Sequence, residues 1–181
     1  MNEELETERL LLRPVRADDL PWIAALMAEY DVAKNLSTAP HPYTLQDAEA
    51  FFAKHSESRA RGETHVFSVL CKSNGAFIGE NGLQAKDGVV EMGYWLGKPY
   101  WGQGFATEAA RRVLAFGFDE LKLERIVAGW FEDNAASGHI LAKLGFTATE
   151  SIGRNCLARG RTVRCNMLAL TREAFHLKQA A

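Results

Sequence analysis

Residues 94–107 read Tyr-Trp-Leu-Gly-Lys-Pro-Tyr-Trp-Gly-Gln-Gly-Phe-Ala-Thr, and the rest of the architecture follows from them. The stretch starts inside an apolar run, 89–96, that reads as a strand, and it ends in a periodic segment that predicts a helix over 104–121. Gly102 and Gly104 lie between the two. Glycine lets a backbone approach a ligand closely and turn successive N–H groups inward, and the following helix adds the positive end of its dipole. The natural guest of such a turn is a phosphate or pyrophosphate. A strand-to-helix turn without a ligand has the same residue types. Two other phosphate loops fail on the residues: a dinucleotide fingerprint needs Gly or Ala where Thr107 stands, and a P-loop needs a closing Gly-Lys-Ser/Thr.

Outward from this stretch, 9–16 reads as a first strand. Asp18 or Asp19 is expected to cap a helix reaching about Tyr30, with Pro21 in its first turn. A loop over 31–43 carries Pro40 and Pro42, and a second helix starts near Thr44. The runs 65–71 and 76–83 flank Lys72-Ser73-Asn74-Gly75 as a hairpin. In the helix 104–121, Ala106, Ala110, Val113, Leu114, Gly117 and Leu121 share one face, and Glu108 is expected to pair with Arg112 on the other. Then come a strand over 125–131, a helix over 134–144 closed by Gly145, strands over 146–152 and 163–170, and a helical tail. Hairpins followed by strand–helix–strand imply a mixed sheet of about six to seven strands, parallel where the helix crosses over. The fold class is therefore α/β with α+β character. No repeat or linker divides the chain, so one domain spanning 1–181, with its core over about 7–170, is expected.

With 21 Lys+Arg against 23 Asp+Glu, the net charge is −2, and the chain lacks the basic field of a non-specific nucleic-acid binder. At 47% hydrophobic and 24% charged residues, the composition is that of a folded globular protein. No apolar run approaches the roughly 20 residues of a membrane span. Residues 1–8 carry four glutamates and no apolar segment, which does not read as a signal peptide, so a cytoplasmic location is expected. Cys71, Cys156 and Cys165 have no C-x-x-C spacing and read as reduced thiols. His41, His55, His65, His139 and His176 have no metal spacing, and no metal is expected.

A second informative segment is Asn134-Ala-Ala-Ser137, followed by Lys143-Leu-Gly-Phe146. Its residue types are accounted for by a helix cap at Asp133 or Asn134 and a closing glycine. In combination with Trp101-Gly-Gln-Gly-Phe-Ala-Thr-Glu-Ala109, Glu91-Met-Gly-Tyr-Trp-Leu96 and Thr7-Glu-Arg-Leu-Leu-Leu-Arg-Pro14, however, the chain resembles the GNAT superfamily of acyl-CoA-dependent N-acetyltransferases. It looks closest to the branch that acetylates the N-termini of ribosomal proteins, the Rim type. The resemblance runs over about 7–146. It implies a strongly twisted mixed sheet flanked by helices, with a splay between two parallel central strands. It also implies acetyl-CoA as cosubstrate, its pyrophosphate wrapped by Trp101, Gly102, Gln103, Gly104, Phe105, Ala106 and Thr107. Trp101 stands where the family usually has Arg or Gln. The pantetheine arm is expected between Tyr94, Trp95 and Leu96 on one side and Asn134 and Ser137 on the other.

Amide formation needs a neutral amine, so a base must take its proton or find it already lost. Glu91 is the one acid within 89–96, and the resemblance implies a base there, often acting through water; a carboxylate on a solvated strand face is the alternative. A protein α-amine, with a pKa of roughly 8, is about 10% neutral at pH 7, whereas lysine is well under 0.1% neutral. Many family members protonate the leaving thiolate with a Tyr where this chain has Leu141. Ser137 is the best replacement, with a bound water as the alternative. Backbone N–H groups near Tyr94 are expected to stabilise the oxyanion. Glu91, Ser137 and Asn134 thus form the expected catalytic set, with direct transfer and no covalent enzyme intermediate, although Cys71 is a thiol to watch.

The acceptor is expected to be a primary amine, first a protein N-terminus. The alternatives are a small amine (polyamine, amino acid analogue or amino sugar) or no turnover at all, in an acyl-CoA sensor. Candidate acceptor segments are 30–43, Trp130 with Phe131, and 153–164. The last carries Arg154, Arg159, Arg161 and Arg164, which either attract a carboxylate or form a solvated hairpin. The resemblance also implies a possible homodimer.

Overall fold

In this computed structural model, which describes residues 4–180, eight strands form one sheet. They are β1 (Leu5–Glu6), β2 (Leu10–Pro14), β3 (Thr64–Cys71), β4 (Phe77–Lys86), β5 (Val89–Leu96), β6 (Arg125–Phe131), β7 (Thr147–Cys156) and β8 (Arg161–Thr171). Their spatial order is β1-β2-β3-β4-β5-β6-β8-β7. Neighbours pair antiparallel except β5 and β6, which run parallel and meet at the register pair Glu91 with Val127. Beyond that pair the two strands part, which is the expected splay. The turn between β4 and β5 uses Asp87 (φ 52°) and Gly88 (φ 79°), the two positive values a tight hairpin demands. The strand beyond the expected number is β1, two residues long and too short for a period to mark it.

The helices are α1 (Leu20–Met27), α2 (Tyr30–Ala33), α3 (Leu45–Ala60), α4 (Phe105–Ala115), α5 (Ala135–Leu144) and α6 (Arg172–Ala180). Thr44 caps α3 through a reciprocal box with Asp47. Asp19 does not cap α1 with its side chain: Ala17–Asp19 form a 3-10 turn, and the Asp19 carboxylate turns inward to Arg13. The loop expected over 31–43 contains α2. The helix expected to reach residue 121 changes at Phe116–Glu120 into a π-helical turn that buries Phe116 and Phe118. Glu108 and Arg112 do not pair: Glu108 faces Arg9 at 2.6 Å and Arg112 faces Glu120 at 3.1 Å. Tertiary partners here displace the local i,i+4 contact, worth only about 0.2–0.5 kcal/mol.

The two faces of the sheet are covered unequally. On the first, α4, α5 and α6 bury Leu12, Phe67, Ile78, Leu83, Met92, Leu114, Ile126 and Leu170. Each such side chain contributes about 1.5–3 kcal/mol through burial. On the second, the segment from α1 to α3 buries Leu20, Ile23, Met27, Val32, Tyr43 and Phe77. The rest of that face carries a small cluster of Phe131, Cys156, Val163 and Cys165. All three cysteines are free thiols. Among the described residues, no helix is long and apolar enough to cross a membrane.

Candidate active site

Pro99 bends Lys98–Tyr100 into a 3-10 turn as the chain leaves β5. The side chains of this loop hold the loop itself. The Trp101 indole donates to the Leu96 carbonyl at 2.7 Å, and the Gln103 amide donates to the Pro99 carbonyl at 2.9 Å. Gly102 (φ 72°) and Gly104 (φ 81°) take left-handed conformations, which cost other L-residues roughly 1–2 kcal/mol. Gly104 occupies the N-cap of α4 and offers no side-chain cap. The first N–H groups of α4, on Phe105, Ala106 and Thr107, therefore point out of the helix without an intrahelical acceptor. A set of convergent donors at a helix N-terminus fits a pyrophosphate.

The turn between β1 and β2 holds this loop in place. Arg9 Nη1 donates to the Gln103 carbonyl at 3.0 Å and Arg9 Nε to Glu108 Oε2 at 2.7 Å. Thr7 Oγ1 donates to Glu108 Oε1 at 2.6 Å. Thr7 and Arg9 lie in a stretch noticed in the sequence, but nothing local connects residue 9 to residue 103, so this supporting role was not readable there.

Across the splay, Asn134 caps α5: its Oδ1 accepts the Ser137 N–H at 3.3 Å. Of the two cap candidates it is therefore Asn134, while Asp133 pairs with Arg159. The cap presents Ser137 Oγ to the Tyr94 hydroxyl, 2.8 Å away. Burial pushes the Tyr94 phenol up to about 12, with the Ser137 hydrogen bond acting the other way. The phenol keeps its proton at neutral pH. The sequence marked Tyr94 only for its backbone; its hydroxyl contact joins residues 43 apart in the chain. Leu141 is fully buried in the core.

Strand alternation puts Glu91, Gly93 and Trp95 on the opposite face. Gly93 is exposed, and a Cβ added there would meet nothing within 4 Å, so the floor between Glu91 and Trp95 is bare. Glu91 is partly exposed on this face and is ion-paired there. Arg154 donates to both its oxygens, Nη1 to Oε1 at 2.5 Å and Nη2 to Oε2 at 3.3 Å. The Trp95 indole donates to Glu80 Oε2 at 2.9 Å, while the buried Glu80 Oε1 has no hydrogen-bond partner among the described residues. Burial pushes the Glu80 carboxyl up to about 7, opposed by the Trp95 bond and reinforced by nearby Asp19.

The wall of this face is built by docking the 34–37 loop onto the β7–β8 turn. Arg159 Nε donates to the Lys34 carbonyl at 2.8 Å, and the Leu157 N–H donates to the Ser37 carbonyl at 3.2 Å. The Arg159 guanidinium forks onto Asp133 at 2.6 and 3.0 Å and lies 5.3 Å from the Phe131 ring centroid. The solvated alternative for this hairpin thus fails at Arg154 and Arg159, whereas Arg161 and Arg164 are exposed. Trp130 and Phe131 do not work together. Phe131 joins the cluster on the Glu91 face, and Trp130 packs on α5, where a Cβ at Gly138 would come within 2.9 Å of its ring.

Comparison with known proteins gives a match over residues 9–147 to the family model described as acetyltransferase (GNAT) domain. The uncharacterised N-acetyltransferase p20 of Bacillus licheniformis is 29% identical over 176 residues, covering 96% of this chain and 98% of that protein. Mycobacterium smegmatis RimJ, solved in complex with CoA-disulfide, has a similar fold, with a TM-score of 0.80 at 21% identity, covering 94% of this chain and 88% of the other. The ribosomal-protein-S5-alanine acetyltransferase of Vibrio fischeri also has a TM-score of 0.80, at 20% identity, covering 95% and 98%.

Proposed function

This chain belongs to the GNAT acetyltransferase family and is an N-acetyltransferase, and from that premise we propose that it transfers an acetyl group from acetyl-CoA directly to the α-amine of a protein N-terminus. One observation carries the reading. The gap between β5 and β6 lies beside the uncapped α4 terminus and the Ser137–Tyr94 pair on one face, and beside Glu91 and the bare floor at Gly93 on the other.

Acetyl-CoA supplies an acetyl thioester. The N–H groups of the 101–107 loop hold its pyrophosphate, with Arg9 and Thr7 fixing the loop from behind. Backbone N–H groups near Tyr94 take up the charge that develops on the carbonyl oxygen. The amine approaches over Gly93, forms the N–C bond and gives its proton to the Glu91 carboxylate, directly or through water. The C–S bond breaks, and the departing sulfur takes the Ser137 hydroxyl proton as a water returns one to Ser137 Oγ, whose position is set by Tyr94. A modest base suits an α-amine, which is about 10% neutral at pH 7, far better than a lysine. The shared fold of a ribosomal-protein alanine acetyltransferase supports the same acceptor class.

Thiol release from acetyl-CoA tests this across N-terminal peptides, lysine peptides, polyamines and amino sugars. The expected result is release with the N-terminal peptides and an acetyl group on their α-amine by mass spectrometry. Glu91→Gln should lower kcat by about 100-fold, the scale of general base catalysis, with CoA affinity retained. Acetylation confined to small amines would overturn the acceptor, and CoA binding with no thiol release from any acceptor would point to a sensor.

A further inference from the structure

The carboxylate assigned to take the amine's proton is already engaged. Both Glu91 oxygens accept from Arg154, which reaches them from the edge strand β7 across β8 and β6. On the way Arg154 Nη2 lies 3.5 Å from Met167 Sδ, and the β6 residue paired with Met167 is Gly129, which has no side chain to block the path. Side-chain exposures of 26% for Arg154 and 35% for Glu91 leave both ends of the pair open to a solute. Three nearby cations on this side are paired with other carboxylates: Lys34 and Lys98 with Asp31, and Arg159 with Asp133.

An ammonium arriving alone has to draw Glu91 away from Arg154 and leave a half-buried guanidinium without its counter-ion, which is costly. An acceptor with a carboxylate beside its amine avoids that penalty. Its carboxylate takes the fork geometry of the guanidinium while its nitrogen takes Glu91, so one ion pair is exchanged for two. We propose that Arg154 is a specificity-determining residue that selects amines bearing a nearby carboxylate and, in binding that group, frees Glu91. This inference rests on the acetyl-transfer reading above. Two sources offer the chemistry: an acidic side chain at the start of a peptide, and the α-carboxylate of a free amino acid.

Matched acceptor pairs test it on the wild-type enzyme at saturating acetyl-CoA: a peptide with Asp against Asn at its second residue, and an amino acid against its amide. In one pair kcat/KM is expected to favour the carboxylate member by roughly ten-fold, mostly through KM, and the pair that responds identifies the source. Arg154→Gln should bring that ratio close to one and lower the KM of the amide member, whose amine then meets an unpaired Glu91. Arg154→Lys should restore part of the ratio. A residue that only positioned Glu91 would depress both members equally. Wild-type ratios near one in both pairs, with transfer intact, overturn the inference and leave the acetyl-transfer reading standing. A ratio that persists in Arg154→Gln overturns it as well. Transfer to no acceptor, with CoA still bound, overturns both. The wild-type comparison decides even if Arg154→Gln fails to fold.

Discussion

At the scale of single residues, two buried carboxyl groups, Asp19 in the 3-10 turn before α1 and Glu80 on β4, end in opposite states because of their partners. Burial works against a charge on Asp19, but donation from Arg13, the Arg16 N–H and Ser68 more than offsets it and holds the group below the usual carboxylate range. Among the described residues Glu80 receives only the Trp95 N–H, and burial pushes it up to about 7. The unfolded chain releases this proton near the ordinary 4.5 and the folded chain near 7, so between those values the folded state holds more protons. Stability therefore falls as pH rises through that window and levels off above it. Glu80→Gln keeps an acceptor for the Trp95 N–H but cannot ionise. Across the window its unfolding free energy should gain on the wild type by up to roughly 3 kcal/mol, read from denaturant unfolding at several pH values. Parallel profiles for the two proteins would mean that Glu80 is ionised in the fold.

At the scale of elements, the strand–turn–helix of 89–115 was legible because everything that forms it is local: an apolar strand, two glycines with positive φ, and an amphipathic helix. Gly104→Val places a β-branched residue at φ 81° with its Cβ 3.4 Å from Arg9 Nη2. Strain of about 1–3 kcal/mol should twist the first turn of α4 away from its donors. CoA affinity measured by calorimetry is expected to fall at least ten-fold while the protein still unfolds cooperatively; unchanged affinity would place the phosphates elsewhere. What the sequence did not reveal lies between elements. Glu91 stood out as a lone acid in an apolar strand, but its partner Arg154 is 63 residues away. Glu80 carried the same signal inside the apolar run 76–83 and went unread, because only the cover of α1 to α3 turns that position into a buried one. Strand alternation separates Trp130 from Phe131 onto different faces, yet it takes the packing of α5 to show which face each residue serves.

At the scale of the whole molecule, the proposed cofactor and acceptor sites lie on opposite faces of the sheet and meet at the gap between β5 and β6. The proposed cofactor side is braced by the β1–β2 turn through Arg9. The proposed acceptor side is braced by a different set of contacts, the 34–37 loop held against the β7–β8 turn by Arg159, whose side chain is only 6% exposed. Because the two braces share no residue, loosening one should leave the other intact. Arg159→Ala removes the fork to Asp133 and the bond to the Lys34 carbonyl, a loss of about 2 kcal/mol given that Asp133 is largely solvated. The acceptor wall should then open, raising the acceptor KM several-fold, with CoA affinity within two-fold of wild type as roughly 0.4 kcal/mol of coupling would allow. Steady-state kinetics paired with calorimetry separate the two quantities. If CoA affinity fell in step with the acceptor KM, the two faces would be coupled through β6, which carries Phe131 under the Arg159 guanidinium and Val127 at the edge of the gap.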